Sequence, residues 1–152
     1  MSGDNNLSQE QRRVLASVLD EIIPPSGDGK LPGAGAIGVG AYVEEALRAA
    51  PDLFSMIAQG LSELDEQARA RNPQGFPALP RPDKVELLNQ QGFVLPLTLH
   101  ACAGYYQDDR VVEALGLEAR PPHPQGHQME GNDFELLDGV RRRERFFRQP
   151  RA

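Results

Sequence analysis

The chain has 152 residues, with 16 Lys and Arg against 22 Asp and Glu for a formal charge of −6, and it carries 15 Gly, 13 Pro, one Cys and no Trp. That length suits one domain with a packed core, and a single Cys excludes both an intramolecular disulfide framework and any zinc site built on two or more thiolates. No run of 18 apolar residues occurs, so no segment is predicted to span a membrane.

Ser8-Gln9-Glu10-Gln11 has the form of a capping box and predicts the start of a first helix. Val14, Leu15, Val18, Leu19 and Ile22 follow on one stripe until Pro24-Pro25 removes two backbone donors. Arg12-Arg13 stands before an apolar run, but Asp20 and Glu21 break that run too early for an export signal. The pair therefore reads as the wet face of the helix, and a cytoplasmic location, consistent with a lone thiol, is the default expectation.

Residues 26–35 read as a Gly/Pro-rich loop, and a second helix is expected over about 36–49, with Tyr42, Val43, Ala46 and Leu47 on one face. Pro51 suits the first turn of a third helix carrying Leu53, Phe54, Ile57, Leu61 and Leu64, which frays at Asn72-Pro73. Pro77, Pro80 and Pro82 mark an extended linker. Pro82 also fits the first turn of a short fourth helix with Val85, Leu87 and Leu88, closed by Gly92. The most apolar segment, from Phe93 towards Tyr105-Tyr106, predicts a fifth helix at the centre of the fold, with Pro96 in its first turn. Asp108 or Asp109 caps a sixth, ended by Gly116 in the left-handed conformation.

No segment alternates with period two, so an all-α fold of about six helices is expected, with residues 1–117 as its body. From Glu118 onward Pro121, Pro122, Pro124, Gly126 and Gly131 predict an extended, Pro-rich C-terminal arm, residues 118–152, belonging to the same domain. Six Arg and one Glu give residues 139–152 a charge of +5. Residues 1–138, with 10 basic and 21 acidic groups, carry −11.

Three motifs invite chemistry. Gly33-Ala34-Gly35-Ala36-Ile37-Gly38 spells G-x-G-x-x-G, but a polar, helix-breaking stretch precedes it instead of a buried strand, so a Gly/Ala-rich helix entry is the better reading. His100, Cys102, His123 and His127 gather all the His and the only Cys in one region, types that zinc accepts, yet His100 and Cys102 stand two apart on a helix and point to different flanks. Arg141-Arg142-Arg143 with Arg145, Phe146, Phe147 and Arg148 could grip phosphates, but the acidic remainder repels nucleic acid, so a protein contact is expected and no nucleic-acid partner. No nucleophile elbow, paired carboxylates or phosphate loop appears.

The stretch Gly104-Tyr105-Tyr106-Gln107-Asp108-Asp109-Arg110-Val111-Val112-Glu113-Ala114-Leu115-Gly116-Leu117, followed by Arg120-Pro121-Pro122-His123-Pro124-Gln125-Gly126-His127, resembles the gluconate 2-dehydrogenase subunit 3 family. Leu7 to Pro24 is similar to that family's opening helix ending in I-I-P, and Phe76 to Leu88 to the segment before its central helix. The resemblance implies an all-helical small subunit with no cofactor and no catalytic residues of its own. Its implied partner is a large FAD-binding dehydrogenase subunit of the glucose-methanol-choline type, often beside a cytochrome c subunit, acting on a sugar or polyol. By that resemblance the small subunit stabilises and escorts the flavoprotein, which many members accompany to the periplasm through a twin-arginine signal; this chain starts directly at the first helix, so a periplasmic location is expected only if it is exported with a partner.

Tyr105, Tyr106, Arg120, Pro122, Pro124, Phe146 and Phe147 supply rigid apolar and cationic surface and are the expected partner-binding residues. The competing reading is a stand-alone metal protein or enzyme using His100, Cys102, His123 and His127.

Overall fold

The computed structural model describes residues 6–119 and 134–143. The chain divides into two compact units, Met1–Ala119 and Arg120–Ala152. Among the described residues every regular element is helical.

In the first unit, α1 (Gln9–Ile22) begins with the expected capping box: Ser8 Oγ accepts from the Gln11 N–H at 3.1 Å, while the Ser8 N–H donates to Gln11 Oε1 at 2.8 Å. The same Gln11 side chain donates through Nε2 to the Ala58 carbonyl at 2.9 Å, so the cap also ties α1 to the third helix. Val14, Leu15, Val18 and Leu19 are buried, and the helix stops just before Pro24-Pro25.

The second helix, α2 (Val39–Leu47), starts three residues later than expected. Gly38 at φ +82° holds a left-handed conformation that no helix can run through, so residues 36 and 37 belong to the preceding turn. Helix α3 (Pro51–Arg69) opens with Pro51 in its first turn as expected, and buries Phe54, Ile57, Leu61, Leu64 and Ala68. Its regular turns end at Arg69, and the Arg71 and Asn72 N–H groups then share the Ala68 carbonyl in a last tightened turn that leads into the expected Asn72-Pro73.

The linker expected to be merely extended is pinned. Phe76–Ala78 forms a 3₁₀ turn whose Phe76 ring is buried, and the Phe76 N–H donates to Asp65 Oδ1 at 2.9 Å. Asp65 is the one buried charged residue among those described, and Arg69 Nε meets its other oxygen at 2.7 Å. Gly75 is required there on two counts: φ is +79°, and a Cβ would collide with the Asp65 carboxylate.

Helix α4 (Arg81–Leu88) has Pro82 in its first turn, and α5 (Val94–Tyr105) has Pro96 in its first turn, both as expected. Helix α6 (Asp109–Ala114) is capped by Asp108, whose side chain accepts from the Arg110 N–H, and Gly116 follows at φ +78°. In the second unit a 3₁₀ turn (Phe134–Leu137) leads into α7 (Asp138–Arg141). Regular structure was not expected there; it begins beyond the last of the Pro and Gly cluster at Gly131, where Phe134, Leu137 and Val140 recur at intervals of three.

The expectation that the fifth helix lies at the centre is corrected. The hub is α1, which packs against α2, α3, α4, α5 and the Phe76–Ala78 turn, whereas α5 packs chiefly on α2 and secondarily on α1. The buried stripe of α1, Val14, Leu15, Val18 and Leu19, is shared among these neighbours, while Arg12 and Arg13 stay on its exposed flank.

Candidate functional site

Helix α5 is apolar on both faces but buries one. At 100° per residue Leu97, Ala101 and Gly104 share the inward face, all of them buried. Half a turn away, Leu95, Leu99, Cys102 and Tyr106 fall at intervals of four, three and four, which is again a single stripe. Leu95 is 72% exposed, Leu99 68% and Tyr106 58%, with Cys102 partly exposed between them. Soluble helices ordinarily set polar residues opposite their buried stripe. Here the residues from Leu87 to Gln107 include no Asp, Glu, Lys or Arg at all.

Both ends of α5 are locked. On its inward face the absence of a side chain at Gly104 admits the Tyr42 ring of α2, since a Cβ would lie 2.5 Å from Tyr42 Cδ1. Gly60 of α3 makes room in the same way for Phe93, the residue before α5.

Tyr105 and Tyr106 take opposite roles. Tyr105, expected as a partner-binding residue, is 2% exposed and belongs to the core, its hydroxyl donating to the Pro32 carbonyl at 2.8 Å. Burial pushes its phenol above the ordinary value, with the nearby Tyr106 and Asp108 adding to the shift. Tyr106 remains on the surface, and the two rings meet edge to face, centroids 5.3 Å apart and planes at 89°. The exposed ring is thus braced by the buried one.

The turn after α5 is held by charge. Arg110 forks onto Asp108, with Nε to Oδ1 at 2.8 Å and Nη2 to Oδ2 at 2.6 Å, and Nη2 also donates to the Ile37 carbonyl at 2.8 Å. The Arg110 side chain holds the Asp108 carboxyl below its usual range, and backbone donors at Arg110 and Val111 act in the same direction. Gln107 Nε2 donates to the Ala103 carbonyl at 2.8 Å and to Tyr42 Oη at 3.3 Å. The Y-Y-Q-D-D-R run therefore positions Tyr106 and fastens it to the Gly-rich loop and α2.

That loop accounts for the G-x-G-x-x-G. A Cβ at Gly35 would collide with the Ala16 carbonyl oxygen and the Asp20 carboxylate of α1, and one at Gly33 with Asp20 as well. The Gly35 N–H donates to Asp20 Oδ1 at 2.8 Å. These glycines let the loop lie directly on α1, and the space a phosphate would need is filled by a carboxylate that would repel it.

His100 and Cys102 are both partly exposed on α5 and diverge around the helix. No group of three His, Cys, Asp or Glu side chains that could hold a metal occurs among the described residues. His123 and His127 of the metal reading, and Arg120, Pro122, Pro124, Phe146 and Phe147 of the partner-binding reading, lie outside the described residues. The exposure of Leu95 and Leu99 is signalled in the sequence only by the 21-residue run without charge around them. No described helix is long and apolar enough to cross a membrane.

No curated protein and no solved structure matches the chain. Residues 9–113, from the first residue of α1 to the last turn of α6, match the family described as Gluconate 2-dehydrogenase subunit 3. Because that match takes in well over half of the sequence and nearly all of the first unit, the chain belongs to the gluconate 2-dehydrogenase subunit 3 family.

Proposed function

We propose that this chain is a non-catalytic accessory subunit that binds and stabilises a flavin-dependent dehydrogenase of the glucose-methanol-choline type, with a sugar or polyol as substrate and the FAD carried by the partner. The family membership over residues 9–113 carries this reading, since the family's own description is that of a numbered subunit of a dehydrogenase. A chain that binds only the folded form of a large subunit stabilises that form by mass action, which is the physical content of an accessory role.

Co-expression tests it. The soluble yield and flavin content of the large subunit are expected to rise several-fold when this chain is present, and equal yields with and without it would overturn the reading. The chain purified alone is expected to be colourless and metal-free. One equivalent of bound zinc would favour the metal reading through His100, Cys102, His123 and His127 instead.

A further inference from the structure

We propose that the outward stripe of α5, Leu95, Leu99, Cys102 and Tyr106, is the surface through which this chain docks onto the large catalytic subunit of its dehydrogenase. The inference rests on the accessory-subunit reading and adds to it the face that is used.

Charge is the first argument. Interface cores are depleted of charged residues relative to the rest of a protein surface, and residues 87–107 contain none. The rest of the first unit is not like this: residues 1–119 carry 17 acidic and 9 basic side chains, so the uncharged strip is an exception within a strongly acidic body. The face of its occupant that meets Leu95, Leu99 and Tyr106 is therefore expected to be uncharged. An anionic lipid surface is disfavoured, because the basic residues that flank the strip, Lys84 and Arg110, are paired with Glu21 and Asp108 and the acidic unit as a whole would be repelled.

Area separates a second copy from a different protein. At the exposures of Leu95, Leu99 and Tyr106, the stripe offers on the order of 400 Å² of apolar surface, a size that on monomers is often functional. Two copies joined stripe to stripe would bury roughly 800 Å² in total, the range of adventitious contacts and well short of the ~1,200 Å² of a specific complex. A larger partner that also covers the surroundings of the stripe reaches that threshold, and two copies of a helix 12 residues long do not.

Preorganisation is the third argument. Tyr106 is already held by the edge-on contact with Tyr105, which is in turn fixed by its bond to the Pro32 carbonyl. A rigid aromatic anchor loses little entropy on binding, and such residues are typical hot spots.

The test uses the full chain and the purified large catalytic subunit of the gluconate 2-dehydrogenase type complex from the same source, titrated calorimetrically. Leu95→Glu with Leu99→Glu is expected to weaken binding by more than about thirtyfold, with an unchanged helical spectrum. Glu63→Lys, on the charged face of α3, is expected to bind like wild type. Should the double variant misfold, Tyr106→Ala and Leu99→Ala, which only shorten exposed side chains, are each expected to weaken binding about tenfold or more. Binding by the folded double variant, or by both alanine variants, within threefold of wild type would overturn the docking face while leaving the accessory reading intact. Failure of the wild-type chain to bind would overturn both. A wild-type chain that forms a dimer at micromolar concentration, lost in the double variant, would make a second copy the occupant and overturn the proposal.

Discussion

Helices α1 and α5 have opposite relations between composition and position. α1 carries charge on one side, with Arg12 paired to Glu44 and Arg13 near Glu10, and it is the element every other helix of the first unit except α6 leans on. α5 has no charged residue, yet sits to one side with two leucines and a tyrosine in water. Apolar content thus does not report centrality. A hub needs only one wide apolar stripe and neighbours on several flanks, while a helix that is apolar all round at the edge of a bundle has a face left over.

The widest separation between the two helices should appear on truncating equivalent leucines. Leu19→Ala in α1, at a fully buried site, is expected to cost about 3 kcal/mol of unfolding free energy, from lost burial and the cavity left behind. Leu99→Ala in α5 is expected to change stability by less than about 0.5 kcal/mol. Urea unfolding midpoints compare them directly, and a similar cost at both sites would show that the outer face of α5 is packed in the isolated protein.

A smaller effect is expected at Tyr105, where the two faces of α5 are joined. Tyr105→Phe keeps the ring but leaves the Pro32 carbonyl without its donor, an expected loss of about 1 kcal/mol. The raised phenol adds a signature. Because the folded state holds that proton more tightly than the unfolded one, wild type is expected to lose stability as pH climbs above about 10, a loss that the Phe variant lacks.

The smallest effect concerns acid. Asp108, Asp28 and Glu86 all have carboxyls held below their ordinary values, by the side chains of Arg110, Ser26 and Arg71 respectively. A depressed folded pKa contributes stability above the unfolded value of about 4, and that contribution disappears as pH falls through the folded value. Melting temperature is therefore expected to be level between pH 5 and 8 and to decline below about 4. Asp108→Asn should reduce that decline only slightly, since all three groups are solvent-screened. A decline that begins above pH 6 would point to other groups.

Elements bounded by local chemistry were legible in the sequence. The Ser8 box, Pro51 and Pro82 in first turns, the Asp108 cap and Gly116 all act within a few residues, so their signals survive without knowledge of the fold. The start of α2 is not legible, because the sequence does not say which of Gly33, Gly35 and Gly38 takes the left-handed state, and only Gly38 does. The place of α5 is hidden for a different reason: periodicity reveals that a helix has two apolar faces but not which of them finds a neighbour. Of the residues expected at the partner surface, Tyr105 and Tyr106 were adjacent and alike in type, and only the direction in which α5 faces separates brace from anchor.

The bonds from Tyr105 to Pro32 and from Arg110 to Ile37 each span 73 residues of chain. Helical bundles usually fold quickly because most of their contacts are local, and every long closure slows the search by the entropy of the intervening loop. In this chain the Gly-rich loop beside the hub cannot acquire its final fastening until the sixth helix has been synthesised. A nascent chain that has emerged only as far as α4 lacks both the clasp and the core residues Phe93, Leu97, Ala101, Tyr105 and Val111. Completion of folding is therefore timed to the emergence of the same short segment, residues 105–110, that braces the outward tyrosine, so the body closes and the proposed docking surface forms in one step.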